Sequence, residues 1–223
     1  MQKVLLITDD AFELSTLAAA MRLHGVNIIG ESNSQEHALS IFRTMHPDVV
    51  VIDVQFASKG GVPFAHELRK LNPNLGIVLT TACPDLRLLG LTEGDIPLGT
   101  LVVLKRSVAD LDVICEAIPE SLKAVEKKEK MTWLNDHSSL HDNSFTSVLH
   151  KLTNTQIETL RLVATGLSNS EIGRTRFVSE KAVEQIVARV AQQLNVVPDR
   201  RSNLRVLLAG EYFKWIGAPR HPL

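Results

Sequence analysis

The sequence predicts two domains of different class, an α/β domain with a parallel sheet and an all-helical domain after it. Residues 1–120 alternate five short apolar runs with amphipathic stretches, whereas residues 148–223 show only helical periodicity. The charge changes between the same two regions. Nine Lys and Arg against fifteen Asp and Glu give −6 over 1–120, and eleven against six give +5 over 148–223, in a chain of net charge −1. A length of 223 residues suits two domains that each bury a hydrophobic core.

The first domain is predicted to contain five buried strands. Each is a run of apolar, mostly β-branched residues bounded by polar residues or Gly. The runs are Val4–Ile7, Val26–Ile29, Val49–Ile52, Gly76–Leu79 and Leu101–Leu104. Apolar residues at helical spacing over 11–24, 35–45 and 62–71, and again from about Val108, supply the crossovers that parallel strands need. Five strands that alternate with helical stretches predict a flavodoxin-like sheet of order 2-1-3-4-5, covered on both faces.

Five polar side chains follow the ends of four predicted strands. Asp9 and Asp10 follow the first strand, Asp53 the third, Thr80 the fourth and Lys105 the fifth. Reactive groups of an open parallel sheet gather at the carboxyl ends of its strands, so these five are expected to share one cleft. Three carboxylates at close range repel one another unless a divalent cation joins them, and Mg²⁺ suits one or two carboxylates with waters and phosphate oxygens.

This predicted cleft has the parts needed for phosphoryl transfer to a carboxylate. Asp53 would be the nucleophile that forms an aspartyl phosphate, Lys105 would neutralise a phosphoryl oxygen, and Thr80 would donate a hydrogen bond to another. A single Asp after a strand is more commonly a helix cap or a turn former. Five suitable residues at four strand ends favour a site instead.

The chain between the two domains is predicted to be a connector over residues 121–147, helical at first and flexible later. Lys123–Lys130 is dense in charge and Asn135–Ser144 is polar throughout. The predicted boundaries are therefore 1–120 for the α/β domain and 148–223 for the helical domain.

Capping signals predict short helices in the second domain. Thr153-x-x-Gln156 and Ser168-x-x-Glu171 are capping boxes, and Ser179 begins a third helix. A fourth helix is predicted over about 201–215. A short helix, a tight turn and a longer helix with a polar face form a helix-turn-helix.

One face of the helix that begins at Ser179 is apolar, and its opposite face is polar. Glu184 can accept from a cytosine amino group and Gln185 can pair with adenine, while Lys181 and Arg189 suit phosphate contacts. The residues expected to face double-stranded DNA are Arg174, Arg176, Ser179, Lys181, Glu184, Gln185, Ala188 and Arg189. The alternative is a solvated face on a protein-binding module, because this face carries little positive charge.

The motifs resemble those of a bacterial response regulator of the NarL/FixJ class, with a receiver domain and a LuxR-type helix-turn-helix output domain. The resemblance lies in Leu6–Asp10, Pro47–Val54, Gly61, Leu79–Thr81 and Leu104–Lys105, and in Leu152–Thr153, Leu160–Ile172 and Val178–Val183. It implies phosphorylation of Asp53, Mg²⁺ held by Asp10 and Asp53 with help from Asp9, and a switch through Thr80 and Lys105. It also implies that the helix beginning at Ser179 binds DNA and that the last helix forms a homodimer. A sensor histidine kinase is the implied partner.

Three features depart from that family's pattern. Ala57 stands where a proline is usual, and Val102 stands where the switch aromatic is usual. Pro84, Gly94–Pro97 and Gly99 interrupt the region of the fourth receiver helix. These departures predict phosphate chemistry with an altered readout through the surface of helix four and strand five.

Three alternatives remain open at this point. One is a receiver that is not phosphorylated and controls DNA binding through ligands or protein partners. Another is a hydrolase with an aspartyl phosphate intermediate, which Gln55 disfavours because a second acid is missing two residues after Asp53. A third is an interaction protein. We therefore expect a regulator without enzymatic activity.

The remaining composition predicts a cytoplasmic protein with no membrane partner. No apolar run reaches the ~18 residues of a membrane span, and no signal-peptide pattern follows Met1. Cys83 and Cys115 lie in unlike contexts and form no metal or redox motif, so reduced thiols are expected.

Overall fold

A computed structural model of the chain describes residues 1–105, 110–134, 148–197 and 201–216. The chain divides into two compact units. The first comprises Met1–Ala82 and Glu93–Ser138, and the second comprises Cys83–Thr92 and Ser139–Leu223. This division differs from the predicted ranges of 1–120, 121–147 and 148–223, because part of the connector belongs to the first unit and a ten-residue insert belongs to the second.

The first unit is built on a parallel sheet of order β2-β1-β3-β4-β5-β6. Its strands are β1 Lys3–Ile7, β2 Asn27–Ser32, β3 Val49–Asp53, β4 Gly76–Thr81, β5 Thr100–Leu104 and β6 Thr132–Leu134. The flavodoxin-like order 2-1-3-4-5 is confirmed. The prediction of five strands is corrected to six, because part of the expected connector adds β6 to the edge.

Four helices cover the sheet: α1 Ala11–Leu23, α2 Gln35–Met45, α3 Gly61–Leu71 and α4 Asp110–Glu126. The β3 strand is buried along its whole length, as expected for a central strand covered on both faces. The apolar sides of α1 and α4 pack with β-strand residues in one buried cluster. Side-chain caps stop the helices from extending backwards into the strand ends: Asp10 caps α1 and Ser34 caps α2.

The β6 strand extends the sheet beyond β5. It pairs in parallel with β5, and Val102 is the register partner of Trp133. The turn before β5 is tight because Gly99 has φ +68°, and a Cβ there would lie 2.4 Å from Val125 Cα. The start of the predicted connector is therefore part of the α/β fold, and its predicted flexible part, residues 135–147, lies outside the described residues.

The chain between β4 and β5 forms no α-helix in this fully described stretch. It contains two short 3-10 helices, Leu86–Leu89 and Glu93–Asp95. Asp85 caps the first of them, and Gly90 ends it in the left-handed conformation with φ +74°. The expectation of an interrupted fourth receiver helix is met by these turns.

Within its described residues, the second unit contains a helical turn over 148–151 and four longer helices. These are α5 Asn154–Ala164, α6 Asn169–Arg176, α7 Glu180–Gln193 and α8 Leu204–Ile216. Apolar residues from all four helices share one core, which also includes Cys83 and Leu88 from the insert. Among the described residues, no helix is long and apolar enough to cross a membrane.

The helix boundaries follow the predicted caps with two differences. Thr153 and Gln156 form a complete, reciprocal capping box at α5. At α6, Ser168 accepts from the Glu171 backbone N–H, but the Glu171 carboxylate pairs with Arg174. The last helix begins at Leu204, after Ser202 and Asn203, whereas it was predicted to begin near residue 201.

Candidate functional site

The buried acid at the end of β3 is Asp53, which is 2% exposed. Its Oδ2 accepts a hydrogen bond from Lys105 Nζ at 2.9 Å, and its Oδ1 accepts from the Gln55 backbone N–H at 2.8 Å. A carboxylate removed from water needs such compensation, since an uncompensated buried charge is strongly unfavourable. The fold therefore brings Asp53 and Lys105 together, as the sequence predicts.

Thr80 lies beside Asp53 in the sheet. The two residues are register partners between β3 and β4, and Thr80 is buried. Lys105 follows β5, and its backbone N–H donates to Thr81 O at 2.7 Å. The ends of three neighbouring strands thus hold the carboxylate, the hydroxyl and the ammonium group of the predicted cleft.

Glu13 is a member of this cluster that the sequence analysis missed. Its Oε1 accepts a hydrogen bond from Lys105 Nζ, so the ammonium group lies between two carboxylates. Glu13 is on the first turn of α1, three residues after Asp10. That spacing from a predicted site residue was the available signal, because residues of the first helical turn after β1 lie over the same edge of the sheet.

Asp9 and Asp10 follow β1, the strand next to β3. Asp9 is half-buried, whereas Asp10 is exposed. The Asp10 Oδ1 accepts from the backbone N–H groups of Phe12 and Glu13, both at 2.9 Å, and so caps α1. In the described part of the chain, no three His, Cys, Asp or Glu side chains are grouped closely enough to hold a metal ion together.

The donor set still fits Mg²⁺, which needs only one or two carboxylates and completes its shell with waters and phosphate oxygens. Asp53 and Asp9 supply carboxylate oxygens at the ends of adjacent strands. The capping role of Asp10 leaves it less suited to the direct coordination that the resemblance implies.

The loop after Asp53 returns very close to the Asp53 backbone. A Cβ on Gly61 would lie 2.1 Å from Asp53 O, so only glycine fits at the start of α3. Ala57 adopts φ +57°, a conformation that proline cannot reach. The missing family proline is therefore accompanied by a different backbone path. Phe56 is buried against Phe64, with ring centroids 5.7 Å apart, and fixes this path to α3.

The helix-turn-helix of the second unit is formed by α6, the turn at Phe177 and Val178, and α7. A Cβ on Gly173 would lie 2.7 Å from Val178 O, so the turn folds directly over this glycine. Ser179 accepts from the Ala182 backbone N–H and caps α7. Phe177 has φ +57° and is 96% exposed beside the start of α7, which the sequence analysis did not predict.

The residues from Ser179 to Arg189 that were predicted to face DNA are all exposed, and Glu180, Gln192 and Gln193 of α7 are exposed as well. Val183, Val187, Val190 and Ala191 are buried on the opposite side of the helix. The exposed members are Ser179, Lys181, Glu184, Gln185, Ala188 and Arg189. The helix therefore has one buried apolar face and one exposed, mostly polar face, which is the arrangement of a helix that enters a major groove.

The two arginines predicted on α6 have different surroundings. The Arg174 side chain is 74% exposed and pairs with Glu171 on the same helix. The Arg176 side chain is only 12% exposed, and it donates to Glu158 Oε2 at 2.9 Å and Thr159 Oγ1 at 2.8 Å. We therefore correct the expectation for Arg176: this guanidinium fastens α6 to α5 and does not lie on the surface with the residues of α7.

Two family matches cover most of these two units, and the first of them extends over residues 83–89 of the second unit. The family described as "Response regulator receiver domain" matches residues 4–89, and the family "Bacterial regulatory proteins, luxR family" matches residues 150–202. Together these matches span more than half of the chain. The receiver match ends before β5, in the region where the described chain forms 3-10 turns.

Curated relatives align with this chain along most of their length. The transcriptional regulatory protein LiaR of Bacillus subtilis is 27% identical over 199 residues, covering 88% of this chain and 92% of LiaR. The transcriptional regulatory protein DegU of Brevibacillus brevis is 24% identical over 192 residues, covering 76% and 77%. A solved complex of the two-component response regulator RcsB with DNA matches with a TM-score of 0.54 at 20% identity, covering 96% of this chain and 98% of RcsB, and shows a shared fold.

The two family matches, on a parallel sheet with a buried acid and lysine and on a helix-turn-helix, identify a transcriptional response regulator. The chain belongs to the NarL/FixJ class of these regulators, with a receiver domain and a LuxR-type output domain.

Proposed function

We propose that this protein binds double-stranded DNA through the exposed face of α7, and that phosphorylation of Asp53 controls this binding. One contact supports the proposal most directly. Asp53 is buried at the end of β3, and its Oδ2 lies 2.9 Å from Nζ of Lys105, which follows β5. A sensor histidine kinase is the proposed phosphoryl donor.

The proposed reaction is a phosphoryl transfer to a carboxylate oxygen. An Asp53 oxygen bonds to phosphorus while the bond from phosphorus to the donor's nitrogen or oxygen breaks, and the donor keeps that electron pair. Lys105 then neutralises a phosphoryl oxygen, and the Thr80 hydroxyl donates to another. Asp53 and Asp9 would hold Mg²⁺, which would offset the charge on the phosphoryl oxygens. Asp10 would remain the cap of α1.

On DNA, the proposed contacts divide by chemistry. Lys181 and Arg189 suit phosphate oxygens, and Arg174 suits them from the preceding helix. Glu184 and Gln185 suit base edges in the major groove, and the exposed Ala188 offers apolar contact with a thymine methyl group. Ser179 remains the cap that orients the start of α7. A single helix-turn-helix buries little surface, so we propose that a homodimer binds a two-fold site.

The phosphorylation half of the proposal is tested with acetyl phosphate and Mg²⁺, followed by intact mass measurement and peptide mapping. We expect one phosphoryl group on Asp53, none on the Asp53→Asn variant, and an unchanged result for the control Asp112→Asn, whose exposed carboxylate lies on α4. Absence of any mass gain would favour a receiver that is controlled by ligands or partners. Sustained hydrolysis of the phosphodonor would favour an enzyme.

The DNA half is tested by selecting bound duplexes from a random library with the full chain. The full chain is required because the second unit includes residues 83–92, which a fragment starting at 148 lacks. Lys181→Ala should weaken binding and reduce the slope of log K against log salt by about 1, as expected for one lost phosphate contact. The control Lys214→Ala, on α8 and paired with Glu211, should leave this slope unchanged. Weak binding without salt dependence would instead indicate a protein-binding module.

A further inference from the structure

The second unit contains a segment that comes from between two strands of the sheet. This docking segment, residues 83–92, leaves the first unit after Ala82 and returns at Glu93. Cys83 and Leu88 are both 0% exposed and belong to the core shared by α5, α6, α7 and α8. A surface loop does not bury its apolar side chains completely in a helical core, so the segment is an integral part of this unit.

Polar contacts hold the docking segment as specifically as the apolar ones. The Arg87 guanidinium forms a fork with the Asp85 carboxylate, with Nη2 to Oδ2 at 2.7 Å. Its remaining N–H groups donate to Leu149 O and Leu152 O, each at 3.1 Å, and to Asn154 Oδ1 at 2.9 Å. Two of these acceptors are backbone carbonyls in and directly after the helical turn over 148–151, and Leu149 O also accepts from the Leu152 backbone N–H at 3.0 Å.

A buried hydrogen bond joins the segment to the last helix. Tyr212 on α8 donates from its hydroxyl to Leu88 O at 2.8 Å, and both atoms lie in the interior. Burial raises the Tyr212 pKa above its ordinary value, and burial also raises the pKa of the Cys83 thiol to about 12. Both shifts agree with a segment that is closely packed and shielded from water.

The docking segment is also directly connected to the predicted switch. The β4 strand ends at Thr81, and Ala82 is the single residue between it and Cys83. One residue spans at most about 3.6 Å, so a displacement of Thr80 and Thr81 toward a phosphoryl group has almost no slack to absorb it. Such a displacement would therefore act directly on the packing of Cys83.

We propose that residues 83–92 act as an intramolecular ligand of the output domain, docked in the resting chain and loosened when Asp53 is phosphorylated. The second part of this inference depends on the proposed phosphorylation, whereas the first part does not. The surface that receives the segment is formed by the turn over 148–151, α5 and the Tyr212 side of α8. Phosphorylation thereby changes the packing of the DNA-binding unit through a covalent route that differs from the connector.

The test uses Cys83 as its own probe in the full-length protein. The rate of alkylation of Cys83 by iodoacetamide is measured by peptide mass spectrometry, with Cys115 as the internal reference because it is only half-buried on α4. We expect Cys83 to react at least ten-fold more slowly than Cys115 in the resting protein. Equal rates for the two thiols would overturn the docking.

A clamp variant tests the specific contacts. Arg87→Ala should raise the Cys83 rate several-fold and leave the Cys115 rate unchanged, whereas Arg43→Ala, an exposed arginine on α2, should change neither. Arg87→Lys retains the charge but loses the fork and should give an intermediate rate, which keeps the test valid if Arg87→Ala fails to fold. A Cys83 rate that is the same in all of these proteins would overturn the role of the clamp.

A third arm tests the coupling to phosphorylation. Acetyl phosphate or beryllofluoride with Mg²⁺ should raise the Cys83 rate in the parent protein and have no effect in Asp53→Ala. A parent protein that gains the phosphoryl group on Asp53 without a change in the Cys83 rate would overturn the coupling and leave the proposed function intact. If Asp53 gains no phosphoryl group, the proposed function fails, and the coupling fails with it, while the clamp variants still decide the docking.

Discussion

Leu88→Ala should destabilise the helical unit although residue 88 lies between two strands of the receiver sheet. Leu88 is 0% exposed and packs in the core of the second unit. Truncating a fully buried leucine to alanine costs about 2–5 kcal/mol, from the lost apolar burial and the cavity that remains. The Tyr212 hydrogen bond to the Leu88 backbone carbonyl is retained, so about 3 kcal/mol is a reasonable central value.

The two tryptophans provide one reporter in each unit. Trp133 is on β6 in the first unit, and Trp215 is on α8 in the second. Urea unfolding followed by fluorescence in a Trp133→Phe background therefore reports on the second unit, and a Trp215→Phe background reports on the first. With m of about 1.5 kcal/mol/M, a loss of about 3 kcal/mol lowers the urea midpoint of the second unit by about 2 M.

Leu98→Ala is the matched control, because this leucine lies in the same connection between β4 and β5 but is 54% exposed. We expect its effect to stay within about 0.5 kcal/mol, as is usual for surface substitutions. If Leu88→Ala shifted the Trp133 transition and left the Trp215 transition in place, the assignment of residues 83–92 to the helical core would be refuted.

Three further predictions concern the turn of the helix-turn-helix, the buried thiol and the lysine of the phosphorylation pocket. Gly173→Ala should destabilise the second unit by about 1–3 kcal/mol, since its Cβ would lie 2.7 Å from Val178 O. The control Gly210→Ala has open space within α8 and should stabilise this unit by about 0.5–1 kcal/mol. Equal midpoints of the two variants in thermal unfolding would contradict this prediction. Burial raises the Cys83 pKa from 9.0 to about 12, so the stability that this neutral thiol contributes is complete below pH 9 and is lost as the pH rises from 9 to 12, by up to about 1.4 kcal/mol per pH unit. Cys83→Ala should flatten this dependence in urea titrations at successive pH values, and an unchanged slope would count against it. Glu13→Gln removes one of the two carboxylates that pair with Lys105, which leaves the ammonium group more available to a phosphoryl-like ligand. Beryllofluoride should therefore bind a few-fold more tightly, by about 0.5–1 kcal/mol, in fluorescence or calorimetric titrations. Weaker binding would show that Glu13 assists the site.

Local sequence patterns were sufficient for most of the regular structure. The five predicted strands, the Thr153–Gln156 capping box and the buried face of α7 all depend on periodicity and caps that extend over a few residues. The pairing of Asp53 with Lys105 could also be predicted, because strand ends of a parallel sheet meet at one edge whatever the details of the loops.

Predictions failed where a residue's partner is distant in the sequence. Arg176 looks like a surface arginine in its helix, but Glu158 and Thr159 draw it inward. Trp133 lies in the predicted connector, whose local pattern shows no strand, but the β5 edge pairs with it as a sixth strand. Glu13 escaped notice because its role depends on the position of Lys105, which is 92 residues away.

By itself, the sequence determined the elements and the class of the protein: five buried strands with strand-end acids, followed by a helix-turn-helix with one polar face. Only the tertiary structure decided which unit the chain between β4 and β5 belongs to. Leu86, Leu88 and Leu89 show no periodicity that would assign them to one core or the other. The two buried residues, Leu86 and Leu88, can pack against any apolar surface within reach. Apolar burial has no direction of its own, so the choice of partner rests on the three-dimensional arrangement of hydrogen-bond acceptors around Arg87, which a local pattern does not encode.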